Sequence, residues 1–192
     1  MFQPKVKLEF VRRYLSPAAG WTVFVDIDAS EEGRTGGERT TPAARERQER
    51  MRVEGAKARE GLRALGVTVG GKRAAWFKVN QLPVISGDHD IVGFHRQSRL
   101  LVLAEVEGES TGQPEQKAYK AVGQILRAAS QQEPPDWERQ LVVVVSGEEI
   151  RRHLGAMAVL TKLGISGVAI DAGGSPDVWV FGERPDKVAP SR

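Results

Sequence analysis

Residues Leu103 to Ser110 read LAEVEGES, and they close a strand-like apolar run, LLVLA, by delivering acids at alternate positions. A period of two puts Glu105, Glu107 and Glu109 on one face if the strand runs that far. Like charges stacked where a strand leaves the core need water or a positive partner. Just upstream, Asp90 to His95 and Leu100 to Val106 read as a hairpin around RQS. A turn centred between Gln97 and Ser98 sets Asp90 opposite Glu105 and Asp88 opposite Glu107. Opposed Cβ atoms lie about 4.5–5.5 Å apart, and like charges so placed are destabilising. Only Arg96 and Arg99, both at the turn end, offset the five acids between Asp88 and Glu109. Raised pKa values, solvation or a bound cation would relieve the cluster, and hard oxygen ligands at that separation suit Mg2+ or Mn2+.

Outward from the hairpin, Pro114 to Ala129 reads as a helix. Pro114 stands in its first turn, and Ala118, Ala121, Val122, Ile125, Leu126 and Ala129 recur at helical spacing. Lys117, Lys120, Gln124 and Arg127 form a polar stripe along one side of it. LVVVV (Leu141 to Val145) is continuously apolar, as in a strand buried on both faces. A helix over Glu148 to Leu163, capped by Gly164, then GVAI and VWVF complete a βαβ unit and a last strand. On the N-terminal side, Phe2 to Phe10 and Trp21 to Asp28 read as two strands of a hairpin within residues 1–30. A Gly- and charge-rich loop spans 31–42, and a helix runs from Pro42 to about Leu65 with Gly66 as its cap. That helix has few apolar positions, and much of it is a solvated, ion-paired face. Ala74 to Val79 (AAWFKV) reads as a further strand, and residues 183–192 as a frayed tail.

The 192 residues suffice for one domain with a real core. The absence of cysteine removes disulfides, thiolate zinc sites and thiol nucleophiles. No apolar run approaches the ~20 residues needed to cross a bilayer, and the N-terminus lacks a signal-peptide pattern. The reading is an intracellular, cytoplasmic protein with no membrane partner. A net charge of +3 permits a nucleic-acid partner without requiring one.

GDHDIVGF, a hairpin turn and LVLAEVE together resemble the PD-(D/E)XK nuclease superfamily, the restriction-endonuclease-like fold. Asp90 matches the first motif acid and Glu105 the second. Glu54, with Glu60 as runner-up, resembles the acid on the preceding helix. The resemblance covers roughly residues 53–145. It implies an α/β fold with an αβββαβ core, a mixed central sheet flanked by helices, to which the N-terminal hairpin would be added. It also implies metal-dependent phosphodiester hydrolysis, DNA ahead of RNA as the partner, and allows a homodimer. Asp90, Glu105 and the Val106 carbonyl would hold Mg2+ or Mn2+. Glu107 stands where the superfamily usually has lysine, so it would serve as a ligand or orient water. Lys117 or Lys120 would then supply the missing positive charge. Asp88 and His89 are adjacent candidates that point to opposite faces.

Two other classes compete. A non-catalytic nuclease-like module would bind nucleic acid or a partner protein through the Arg-rich helix between Arg45 and Arg63. GESTG (Gly108 to Gly112) satisfies the G-x-S-x-G pattern of a serine hydrolase, with Asp136 and His153 in the right chain order. His153 falls within a helix, however, and an antiparallel hairpin sits where that fold needs parallel strands.

Overall fold

The computed structural model describes residues 1–31, 33, 41–108, 113–171 and 176–185. Twelve principal elements follow in chain order: α1 (Gln3–Tyr14), β1 (Trp21–Val25), α2 (Pro42–Ala64), β2 (Thr68–Val69), α3 (Arg73–Val79), β3 (Ile91–His95), β4 (Leu100–Glu107), α4 (Pro114–Ala129), β5 (Glu138–Val145), α5 (Glu148–Gly155), β6 (Ile165–Ala169) and β7 (Val178–Phe181). The strands form one mixed sheet in the order β2-β1-β3-β4-β5-β6-β7. β1, β3 and β4 run as an antiparallel meander, β4, β5 and β6 are parallel, and β7 returns antiparallel. The fold is thus α/β, a seven-stranded mixed sheet with helices on both faces. No helix among the described residues is long and apolar enough to cross a membrane.

Alternation along the strands splits the core in two. Phe24, Val92, Phe94, Leu101, Leu103, Leu141 and Val143 face α3, α4 and α5. Val23, Val25, Ile91, Val102, Ala104, Val142 and Val144 face α1 and α2. Leu100–Ala104 of β4 and Leu141–Val145 of β5 are buried on both faces, which is why these stretches are unbroken apolar runs. α4 occupies the expected span and buries Ala118, Ala121, Val122, Ile125 and Ala128. The α5 region is shorter than expected. The helix stops at Gly155, and a 3-10 turn over Ala158–Leu163 leads to Gly164, which caps it at φ +70°.

Two expected strands are helices, and the N-terminal hairpin does not form. Val6, Leu8 and Phe10 alternate with Lys5, Lys7 and Glu9 as in a strand. The apolar set continues to Val11, Tyr14 and Leu15, however, and helical spacing alone buries all of it. Pro4, whose missing N–H costs nothing in a first turn, starts the helix. Ala74 to Val79 lies within α3, where adjacent Trp76 and Phe77 are both buried. A strand with one covered face would have exposed one of them. Of the 31–42 loop, residues 32 and 34–40 lie outside the described residues, as do Glu109 to Gly112 of GESTG and residues 186–192 of the tail.

Gly108 leaves β4 against the chain's own start. A Cβ added there would stand 2.4 Å from the Gln3 nitrogen and 2.7 Å from the Met1 oxygen. Both are backbone atoms, so α1 would have to move. Gly123, inside α4, has open space around its would-be Cβ. Gly108→Ala should lower stability by about 1–3 kcal/mol, whereas Gly123→Ala should raise it by about 0.5–1 kcal/mol. Paired thermal melts of the two variants check the opposite signs.

Candidate functional site

The β3–β4 register sets one of the two expected acid pairs, Asp90 and Glu105, opposite each other toward the C-terminal end of β4. The β3–β4 ladder pairs Ile91 with Ala104 and His95 with Leu100, so the next step places Asp90 opposite Glu105. Alternation carries Glu105 and Glu107 onto the face that α4 covers. Each is only 1% exposed. Four parallel-ladder neighbours at the end of β5, all valine, hold that end of β4 in place.

Asp90 works at the sheet's open end. Its Oδ2 accepts the Val106 amide hydrogen at 2.7 Å, and its Oδ1 lies 2.7 Å from the Lys7 ammonium. The N–H and C=O of one strand residue point to the same side, so the Val106 carbonyl is turned toward Asp90 as well. Lys7 sits in the middle of the buried stripe of α1 with no exposed surface. Its ammonium also donates to the Asp26 carbonyl at 2.6 Å and to Glu31 Oε1 at 2.7 Å, so all three N–H donors are used. Burial pulls the Lys7 pKa down, but the Asp90 and Glu31 carboxylates outweigh it and the net direction is up.

Glu31 is 9% exposed, and an Asp28 turn that accepts the Ser30 and Glu31 amides fixes its position. Burial pushes its carboxyl up to about 7 against the opposing pull of Lys7. Its Oε2 is buried without a partner among the described residues.

Glu105 Oε1 lies 2.9 Å from His89 Nδ1, while His89 Nε2 lies 3.2 Å from the Ser86 carbonyl oxygen. A carbonyl only accepts, so Nε2 carries a hydrogen. The contact to Glu105 then needs a second proton, on Nδ1 or on the carboxyl. Burial raises the Glu105 pKa and His89 opposes the rise. Glu105 Oε2 is buried and unpartnered among the described residues. Glu107 is the opposite case, because Lys117 and Lys120 hold its two oxygens at 2.6 and 2.9 Å. Burial lowers the Lys120 pKa, Glu107 raises it more, and the lysine stays charged.

The two α4 lysines are therefore brought to the acids as their spacing implied. Glu54 is not drawn in: it is half-buried on α2 and makes none of the cluster's ion pairs or hydrogen bonds among the described residues. Asp88 does not face Glu107. Its fully exposed side chain bridges to Arg73, while His89 turns inward as the alternation predicted. Sequence reasoning missed Lys7 and Glu31. The signal for Lys7 was a lysine at the centre of the Pro4, Leu8, Val11, Leu15 stripe, visible once the segment is taken as a helix. Nothing local marks Glu31.

Among the described residues, no three His, Asp or Glu side chains converge as a ready-made metal cage. Mg2+ does not require one, since it is commonly held by one or two carboxylates with waters and substrate phosphate oxygens. The orphaned Glu105 oxygen and the outward-turned Val106 carbonyl beside Asp90 fit such an ion. Comparison with protein-family models, curated proteins and solved structures returns no match.

Two stability measurements test the cluster. Glu31 is ordinary in the unfolded chain, near 4.5, and raised to about 7 in the folded one. Between those values the folded state binds more protons, so its contribution to stability falls as pH rises through the window. Urea titrations from pH 5 to 8 should show a negative slope that Glu31→Gln flattens. Lys7→Met leaves Asp90 and Glu31 without their cation and should cost about 3–5 kcal/mol. Adding Glu31→Gln to that variant should recover part of the loss.

Proposed function

We propose that this protein is a metal-dependent phosphodiesterase acting on nucleic acid, DNA ahead of RNA. The observation that carries the reading is Asp90 opposed to Glu105 at the end of β4, with one Glu105 oxygen buried and unpartnered among the described residues. The order α1, β1, β3, β4, α4, β5, with β5 parallel to β4, supports a restriction-endonuclease-like αβββαβ core. In such a core the leading helix would be α1 and the α2–β2–α3 segment an insertion.

Asp90, Glu105 and the Val106 carbonyl would hold Mg2+ or Mn2+. A divalent ion there lowers the pKa of a bound water and neutralises charge on the phosphate. The chain's own residues do the rest. His89 holds Glu105 in one orientation. Glu107 has both oxygens committed to lysines, so it anchors Lys117 and Lys120 in place of acting as a ligand. Lys120, 62% exposed, is the cation a phosphate would meet first. Its fixed charge stabilises the negative charge that builds as the phosphorus gains a fifth oxygen.

A non-catalytic binding module is the second reading. It is favoured by the lysines that already neutralise Asp90 and Glu107, which let the cluster stand without a cation.

Nicking and linear-DNA assays in Mg2+ and Mn2+ decide between them. Glu105→Gln keeps the shape but weakens the ion's hold, and it should cost several kcal/mol in the transition state, roughly a thousandfold in rate. The melting temperature should stay level or rise, because a buried charge is removed. Lys120→Ala should slow cleavage by roughly ten- to a hundredfold with little change in metal affinity. Absence of cleavage on DNA and RNA together with no heat of Mg2+ or Mn2+ binding leaves the binding module.

A further inference from the structure

Beside the acids lies a recess of about 300 Å3 that the carboxylate chemistry does not use. Its floor is aromatic, built from Phe24 of β1 and Phe77 of α3, with Val84 at the rim. Its polar groups are Asp26, Asp88 and Arg73. Phe24 pairs with Val92 in the ladder and shares its core face, the face that also carries Glu105 and Glu107. Two residues on, the Asp26 amide donates to the Asp90 carbonyl at 2.8 Å. The recess therefore opens next to the acids on the same side of the sheet. Two strand spacings, about 10 Å, separate β1 from β4. That is the scale of one nucleotide, from phosphate to the far edge of its base.

We infer that the recess is a base subsite and takes an unpaired guanine next to the reacting phosphate. The inference rests on the phosphodiesterase reading and supplies its substrate class. The volume is at the low end for ligand pockets, enough for a single planar ring system. A carboxylate is an acceptor only, so Asp26 selects a donor-rich edge, while Asp88 is paired with Arg73. Guanine presents adjacent N1–H and N2–H donors, which one carboxylate can accept together. Adenine and cytosine present a donor beside an acceptor, and thymine and uracil a lone donor between two acceptors. Arg73 is preset for the other edge. Gly87 O and Asp88 Oδ1 hold its guanidinium at 2.7 and 3.1 Å, and it lies 5.7 Å from the Phe24 ring centroid. Arginine is the usual reader of guanine O6 and N7. A base buried this way has left its stack, so the substrate is single-stranded or has a flipped nucleotide.

Calorimetric titration of the full chain with guanosine, GMP, AMP and free arginine tests the subsite without metal or cleavage. Guanosine and GMP should bind at least tenfold tighter than AMP, and arginine should not compete. Asp26→Asn, which replaces an acceptor by a donor, should erase the guanine preference. Val84→Trp, at a rim position already 73% exposed, should block guanosine while leaving the melting temperature unchanged. Cleavage of single-stranded oligonucleotides with G or A beside the cut site runs in parallel. Guanosine binding without any cleavage upholds the subsite and overturns the phosphodiesterase. Cleavage with no preference for G and no guanosine binding does the reverse. Equal binding of GMP and AMP, or displacement by arginine, overturns the guanine assignment.

Discussion

The Lys7 ammonium holds three parts of the chain to α1 at a single buried point. It ties α1 to the end of β1 through the Asp26 carbonyl, to the start of β3 through Asp90, and to the following loop through Glu31. A fully buried lysine has no water to fall back on, so each of its three hydrogens must find an acceptor, and each does. That requirement fixes how deep α1 sits and where Asp90 points. Asp90 in turn receives the Val106 amide, so the geometry of the β4 end depends on a helix a hundred residues away in sequence. Gly108, packed on the backbone of residues 1–3, closes the same junction from the other side.

The sheet explains why the charges gather there. β4 is the strand where the antiparallel meander ends and the parallel half begins. Its last three residues, Glu105 to Glu107, run past the β3 ladder, which begins at the Ile91–Ala104 pair, while α4 covers the face above. Ligands of open α/β sheets characteristically bind outside the carboxyl ends of strands at such a change of direction. Glu105 and Glu107 are the first two side chains past the apolar run on that face. α4 then returns Lys117 and Lys120 to within reach of Glu107 because they sit one turn apart in its first two turns.

The parts of this arrangement legible in the sequence were those governed by local pattern. The hairpin register followed from a turn length and two apolar runs, and α4 from Pro114 and six apolar positions at one spacing. The polar stripe on α4 placed Lys117 and Lys120 toward the carboxylates, though not onto Glu107 in particular. What failed was also local. VKLEF satisfies a period of two over five residues, and only the longer stripe to Leu15 separates helix from strand. AAWFKV is too short for either period to win, and tertiary burial of both aromatics decided it. Glu31 was illegible for a different reason: its role comes from a lysine 24 positions earlier, and no spacing within its own loop encodes that contact.

Raised carboxyl pKa values at Glu31 and Glu105 have one physical meaning: the fold holds these groups where ionising them is unfavourable. Replacing buried charges with apolar groups of similar size is often neutral or stabilising. Stability alone therefore gives no reason for four acids, three lysines and a histidine to share the end of one strand. Glu107 is fully compensated and Asp90 nearly so, which leaves the cost on Glu31 and Glu105, each with one buried oxygen that nothing among the described residues satisfies. An unsatisfied buried acceptor carries a penalty of about 1–3 kcal/mol, more when charged. Such a penalty is removed once a ligand supplies the missing partner. The Glu105 oxygen that carries this penalty is thus an atom that gains from any partner brought to it, and that asymmetry supports the proposal of a site at the β4 end over a merely wet edge.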